Sequence, residues 1–535
     1  MMVYDSVLPS RSIPTLIGLF AMVLVVYIFQ GVFDHLRQRI LSDIGNGIER
    51  ELSPHLQRAM SKAALRRGVL SADGLVPMRD LDAVRNWLSS AGPVALIDLP
   101  WILFFIGVLA FLHPYLALTA FCGASLLILL TFLTDGATRA ASKDMAQLAS
   151  WRTGIAEANL RHVEAFTALG MSERMRLRWD QVNLVYQGAS NRLAQSIGLY
   201  SGISKVSRLA LQSTLLTVGA VLVIDGKASA GVIFASSIIA GRALAPVDAA
   251  IANWRGFGAA RMGWRRLRER LLEQAPASAS AKVALPLPRH ELVVKQLVVT
   301  PPGTTKVTVS AADFRLEAGQ ALGIIGPNAA GKTSLARALI GVWQPMRGNI
   351  RLDGATLDQW DQDRLGTAIG YLPQMVELID GTIAQNIARF DPDASSEVIV
   401  AAARAAAVHE MIVQMPEGYE TVVGADGLNL SAGQRQRIGL ARALYADPFL
   451  VVLDEPNSNL DAEGEAALEQ AIADVRKRKG IALIIAHRPS ALAQTTHVLF
   501  MREGRVEAFG ERDEVLRRLT RPANEMVSTV KKPKA

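Results

Sequence analysis

A glycine-bracketed loop of Gly326, Pro327, Asn328, Ala329, Ala330 and Gly331, followed at once by Lys332, Thr333 and Ser334, carries the residue types that hold a polyphosphate. Glycines let backbone N–H groups close around phosphate oxygens, and a helix starting there turns its positive end toward them. The loop lies between a buried-strand run, Ala321-Leu-Gly-Ile-Ile325, and a helical run, Ser334-Leu-Ala-Arg-Ala-Leu339. That is the strand–loop–helix setting such a loop needs. In it, the Lys332 ammonium reaches the β- and γ-phosphates and Thr333 ligates Mg²⁺. Taken alone, the pattern also fits a chance glycine turn or a GTPase.

A second strand narrows the chemistry. The apolar run Phe449-Leu-Val-Val-Leu453 ends in Asp454 and Glu455. A carboxylate at the end of a central strand is where the Mg²⁺ partner of a phosphate loop belongs. Glu455 beside it can polarise an attacking water as general base. The plain alternative, an acidic strand end capping a turn, leaves two carboxylates after five buried residues unexplained. Between the two motifs, Asn429-Leu430-Ser431-Ala432-Gly433-Gln434 starts a helix with Ser431 as N-cap and Gln434 as capping-box partner. With Gly433, the same helix start also forms an anion site.

These residues need an α/β layer to position them. From Glu291 onward, short β-rich runs alternate with helical patterns, which is the grammar of such a layer. The first half is different. Apolar stretches of near-spanning length lie at 13–33, 93–112, 114–134, 207–224 and 230–250, so five membrane spans are expected. Two long hydrophilic segments, about 35–91 and 136–200, separate them on one side. The connections on the other side are short, His113-Pro114-Tyr115 and Asp225-Gly226-Lys227. The long segments are rich in arginine (Arg37, Arg39, Arg50, Arg66 and Arg67, then Arg139, Arg152 and Arg161), which places them in the cytoplasm. The N-terminus then lies outside and everything after about residue 250 inside. The run Ile13–Phe33 lacks a basic leader and a small-residue cleavage site, so it is a span rather than a cleaved signal.

Composition agrees. Half the residues are hydrophobic, a fifth are charged and the mean hydropathy is +0.23, more apolar than is usual for a soluble enzyme of this size. The net charge of +8 is spread among residues flanking apolar spans, and no aromatic-basic module argues for nucleic acid. Cys122 is the sole cysteine, which excludes an intramolecular disulfide and a cysteine metal cluster. The expected division is a transmembrane domain at 1–270, a linker at 271–288, an α/β nucleotide-binding domain at 289–520 and a basic tail at 521–535.

The run from Leu430 to Gln434 resembles the signature of ATP-binding-cassette (ABC) proteins, Leu-Ser-Gly-Gly-Gln, with Ala432 in place of the first glycine. The resemblance extends in order along the second half. It implies that Gln374, in Tyr371-Leu-Pro-Gln374, senses Mg²⁺ and touches the membrane domain. It makes Ser458-Asn-Leu-Asp461 a loop communicating across a dimer, and His487, in Ile484-Ile-Ala-His487, the switch that contacts the γ-phosphate. ATP and Mg²⁺ are the implied cofactors. Thr333, Gln374 and Asp454 are the metal ligands, and Glu455, His487 and Lys332 the catalytic groups. The adenine-stacking aromatic of that family is missing, and Pro301, in Val299-Thr-Pro-Pro-Gly303, stands about where the ring is expected. In that family the signature of one subunit closes over the phosphate loop of the other, which implies a homodimer with two composite sites.

Segments outside these motifs, Val3–Ser12, Asp98-Leu-Pro-Trp101, Gly241–Val247 and Pro456–Gly464, resemble type I secretion permease/ATPases of the protease and lipase exporter group. The resemblance implies ATP-driven export of unfolded proteins with C-terminal secretion signals from the bacterial inner membrane. A periplasmic adaptor and an outer-membrane channel are the implied partners. A lipid or drug exporter on the same fold is the alternative. The absence of an N-terminal cysteine-protease domain argues against a leader-cleaving exporter. Members of the group carry a further helix before the segment matching Val3–Ser12, so six spans are expected in the family, and a truncated start and a five-helix variant both stand as explanations. Asp98 with Pro100 is expected to cap the second span. Arg242, a charge within the last apolar run, is expected either to line the substrate path or to sit near the cytoplasmic interface.

Overall fold

The computed structural model describes residues 2–67, 75–274, 285–424, 427, 429–458, 460–486 and 492–520. His487, the tail at 521–535 and residues 275–284 of the expected linker lie outside them. Contacts divide the chain into two compact units, the first carrying the helices up to Gln274 and the second the sheet from Glu291 onward.

The first unit is helical throughout. Its main helices are α1 (Ile13–Arg67), α2 (Val76–Leu88), α3 (Ala91–Asp98), α4 (Trp101–Leu112), α5 (Pro114–Arg161), α6 (Ser172–Ile224), α7 (Ala230–Ala252) and α8 (Trp254–Gln274). Among the described residues, α1, α5, α6 and α7 are each long and apolar enough to cross a membrane. The pair α3 and α4, bent by 45°, adds a fifth crossing if taken as one span. The expected apolar runs all fall on these helices. Where an apolar run stops, however, the helix does not. A helix of 55 residues, as α1 is, extends roughly 80 Å, well beyond the ~30 Å hydrocarbon core. Span ends in the sequence therefore mark a change of solvent, and Pro54 inside α1 does not end the helix.

Leu116, Ala120 and Leu127 of α5 pack with Leu211, Leu215 and Leu222 of α6 and with Val232, Ala240 and Leu244 of α7 in one buried cluster. Polar pairs join helices where the apolar runs end. Arg37 of α1 donates to Asp98 of α3, Arg208 of α6 lies 2.8 Å from Asp248 of α7, and Trp254 Nε1 of α8 donates to Asp135 of α5 at 3.0 Å. The first pair corrects the expectation for Asp98. It is the last residue of α3 and binds a guanidinium on another helix, while the cap position of α4 is Pro100, with no side-chain cap. Arg242 is exposed and lies over the Tyr27 ring of α1, 5.8 Å from its centroid. The N-terminal Val3–Val7 turn also has a structural role: Asp5 accepts from Gly231 N and Ser229 Oγ, both at 3.0 Å, at the start of α7, and Tyr4 stacks on Phe234.

The second unit is built on a ten-stranded sheet. Its strands are β1 (Glu291–Val299), β2 (Val309–Glu317), β3 (Ala321–Ile325), β4 (Arg347–Leu352), β5 (Ala355–Thr356), β6 (Ile369–Leu372), β7 (Leu450–Asp454), β8 (Ile481–Ile485), β9 (His497–Arg502) and β10 (Arg505–Glu511), in the order 5-4-1-2-10-9-3-8-7-6. The run β9-β3-β8-β7-β6 is parallel, and β5-β4-β1-β2 is antiparallel. Both faces of β7 and β8 are covered, and every residue in them is buried. Parallel strands covered on both faces appear in sequence as unbroken apolar runs, which is how these do. Three helices matter for the site: α9 (Lys332–Leu339) after β3, α10 (Ala432–Leu444) before β7, and α11 (Ala462–Lys477) after it.

Candidate active site

β3 delivers the chain into the glycine-bracketed loop, and α9 begins at Lys332. Gly331 has φ +97°, and a Cβ there would meet Thr308 O at 2.1 Å, so the loop's close fit against the chain entering β2 requires glycine. The loop opens on a cleft of about 920 Å³ lined by Asn328–Ser334, Gln374 and Glu455 on one side and by Lys306, Val307, Thr308, Glu503 and Gly504 on the other. Lys332 is 6% exposed and donates to Gly326 O at 2.7 Å and Pro327 O at 3.0 Å. Burial pushes its pKa down, while Glu455 and Asp454 draw it part of the way back up.

Asp454, the last residue of β7, is fully buried and does not line the cleft. Burial pushes its pKa up. The Thr333 hydroxyl, Arg337 and Lys332 pull it down, and Glu455 adds to the rise. Thr333 is thus close enough to act on the carboxylate, yet neither carboxylate oxygen receives a hydrogen bond of ordinary geometry among the described residues. A buried carboxylate lacking donors beside a threonine hydroxyl is an oxygen donor set that suits a small hard cation.

Glu455 adopts a left-handed φ of +52°, held by its N–H donating to Ile485 O at 3.0 Å across to β8. Such a backbone in a non-glycine residue costs roughly 1–3 kcal/mol and tends to occur at functional positions. It turns the side chain out of the strand and into the cleft. β8 lies between β3 and β7 in the sheet. His487, two residues beyond its last residue Ile485, lies outside the described residues.

Ser431, Gly433 and Gln434 are not brought to this cleft. They form the start of α10, where Ser431 Oγ accepts from Gln434 N and Gln434 Oε1 accepts from Ser431 N, the expected capping box. α10 is tied to the Glu455 strand end: Gln436 donates to Pro456 O at 3.0 Å, and Arg437 pairs with Asp461. Arg389, not foreseen from sequence, fixes its far end. Its guanidinium donates to the carbonyls of Arg442 and Ala443 in α10, and to those of Gly366 and Ile369.

Sequence reasoning also missed the far wall of the cleft. Glu503 and Gly504, both at positive φ, make the hairpin turn between β9 and β10, and the strand order carries that turn to the phosphate loop. Pro301 does not line the cleft. After β1 the chain turns, with Thr304 N donating to Pro301 O, and returns so that Thr308 N donates to Val299 O. The prolines stay in that turn, and Val307 and Thr308 reach the site instead.

Removing the Lys332 ammonium should weaken nucleotide binding by about two orders of magnitude, the usual scale for deleting one partner of a buried charged contact. Titration of Lys332→Ala with ATP measures this, and affinity equal to wild type would remove Lys332 from the site.

Two family models match the chain, "ABC transporter" over residues 309–458 and "ABC transporter transmembrane region" over residues 2–244. The type I secretion system ATP-binding protein PrsD of Rhizobium meliloti (strain 1021) is 51% identical over 520 residues, covering 97% of this chain and 89% of that protein. The toxin RTX-I translocation ATP-binding protein of Actinobacillus pleuropneumoniae is 28% identical, covering 96% of this chain and 73% of its own. Among solved structures, a bacterial Atm1-family ABC exporter with ATP bound superposes with a TM-score of 0.85 at 23% identity, over all of this chain and 95% of that one.

Proposed function

The chain belongs to the ABC transporter family, in its type I secretion branch, and on that premise we propose that it drives export of unfolded proteins bearing C-terminal secretion signals. It is a multi-pass membrane protein and an ATPase coupled to transport. The reading places it in the bacterial inner membrane, working with a periplasmic adaptor and an outer-membrane channel. Residues 1–270 form the membrane domain and 289–520 the ATP-driven engine, joined by 271–288. The observation that carries it is similarity over nearly the whole chain, membrane half included, to a type I secretion ATPase at 51% identity.

In the proposed cycle the loop from Gly326 to Ser334 cradles the phosphates with backbone N–H groups, and Lys332 balances the β- and γ-phosphate charge. Thr333, Asp454 and Gln374 would hold Mg²⁺, which would supply positive charge to offset that on the phosphate oxygens. Glu455 takes the proton of the attacking water, and His487 contacts the γ-phosphate. Gln374 also senses this site for the membrane domain.

The signature residues Ser431, Gly433 and Gln434 stand apart from their own chain's cleft, at an exposed helix start suited to an anion. This supports a homodimer in which each signature serves the partner's cleft. Mixing Lys332→Ala chains with Ser431→Arg chains tests it. In the mixed dimer both lesions fall in one composite site, so ATPase activity should return to up to about half of wild type in that fraction, as two independent sites require. Full activity in a monomer, independent of concentration, would exclude the composite site.

A further inference from the structure

We propose that the base of the bound nucleotide lies against the aliphatic side chain of Val307, and that the site therefore discriminates only weakly between adenine and guanine. The inference rests on the reading of the cleft as the ATP site and adds which part of it meets the base.

The direction of the nucleotide follows from strand order. The phosphates sit at the end of β3, and the bond to be broken must face Glu455, which follows β7. Gln374, after β6, lies on that same side. The rest of the nucleotide then runs the other way, toward the wall that enters β2. That wall is pinned to the phosphate loop through the close approach of Thr308 O to Gly331, and Val307 precedes Thr308 in the lining of the cleft.

Its chemistry is unlike a stacking site. No aromatic side chain lines the cleft among the described residues. At this end Val307, 43% exposed, offers apolar surface, and the side chains beside it, Lys306 and Glu503, are solvent-exposed. A purine has two apolar faces and a polar edge that alone distinguishes adenine from guanine. Val307 can cover part of a face. Reading the edge needs donors and acceptors held in place away from water, and exposed lysine and glutamate side chains do not supply that. Contact with a valine is also weaker than stacking on an aromatic ring, which contributes about five- to 150-fold in affinity.

The test is steady-state hydrolysis of ATP and GTP by the purified full-length transporter and its Val307→Tyr, Val307→Asp and Lys332→Ala variants, with nucleotide affinity measured in parallel. Wild type should use ATP and GTP with kcat/KM values within about tenfold of each other, the scale of discrimination without edge contacts. Val307→Tyr should lower KM for ATP about fivefold or more, and Val307→Asp should raise it comparably, the effects falling on KM rather than kcat. A wild-type preference for ATP above about a hundredfold overturns the proposal. So do both Val307 variants matching wild type in KM while Lys332→Ala has lost nucleotide. Undiminished nucleotide affinity in Lys332→Ala would instead reject the cleft itself as the ATP site, and this inference with it.

Discussion

Replacing Glu455 with glutamine should abolish turnover and leave ATP binding in place. Glutamine keeps the size of the side chain and its ability to hydrogen-bond but cannot accept the proton of the attacking water. A positioned general base contributes about 10²–10⁴-fold, so hydrolysis should fall by at least two orders of magnitude. Binding should survive, because the groups argued to hold the phosphates are the loop and Lys332, which the substitution does not touch. The left-handed φ at this position belongs to the backbone, and glutamine adopts it no less readily than glutamate. Nucleotide held without turnover should then keep the signature of one subunit closed on the cleft of the other, and an ATP-dependent stable dimer should be recovered by size. Glu455→Gln hydrolysing ATP at the wild-type rate would move the base elsewhere.

The parts of this site that sequence revealed are those whose partners lie a few residues away. Strand, loop and helix around Lys332 are continuous in the chain, Ser431 and Gln434 close their capping box within one turn, and Asp454 ends a strand whose burial is written in its composition. What sequence did not reveal depends on strand order or on distant partners. Lys306 to Thr308 and the Glu503-Gly504 turn reach the phosphate loop because β9 lies beside β3, with β10 and then β2 next in the sheet, and no local pattern encodes that order. Asp98 looked like a helix cap because Pro100 follows it, whereas its partner is Arg37, 61 residues earlier in the chain. Nothing in the residues around Arg389 signals its partners, since its four carbonyl acceptors come from segments on either side of it in sequence. Helix ends were not legible for a different reason: hydropathy records where lipid stops, while helix continues for as long as nothing breaks it.

The largest effect of all is expected in the client rather than in the transporter. If the chain recognises a C-terminal secretion signal, a client lacking its last few dozen residues offers nothing to bind, and its export should fall to background instead of slowing. The similarity to a type I secretion ATPase runs through the helices as well as the cassette. The decisive measurement is secretion of one repeat-rich client, with and without its C-terminal segment, through the transporter reconstituted with an adaptor and an outer-membrane channel in the presence of ATP. The account predicts export of the intact client, none of the truncated client, and none of either with Glu455→Gln. Equal export of both clients, or ATP-driven movement of a labelled lipid by the dimer alone with no response to any such protein, would contradict it.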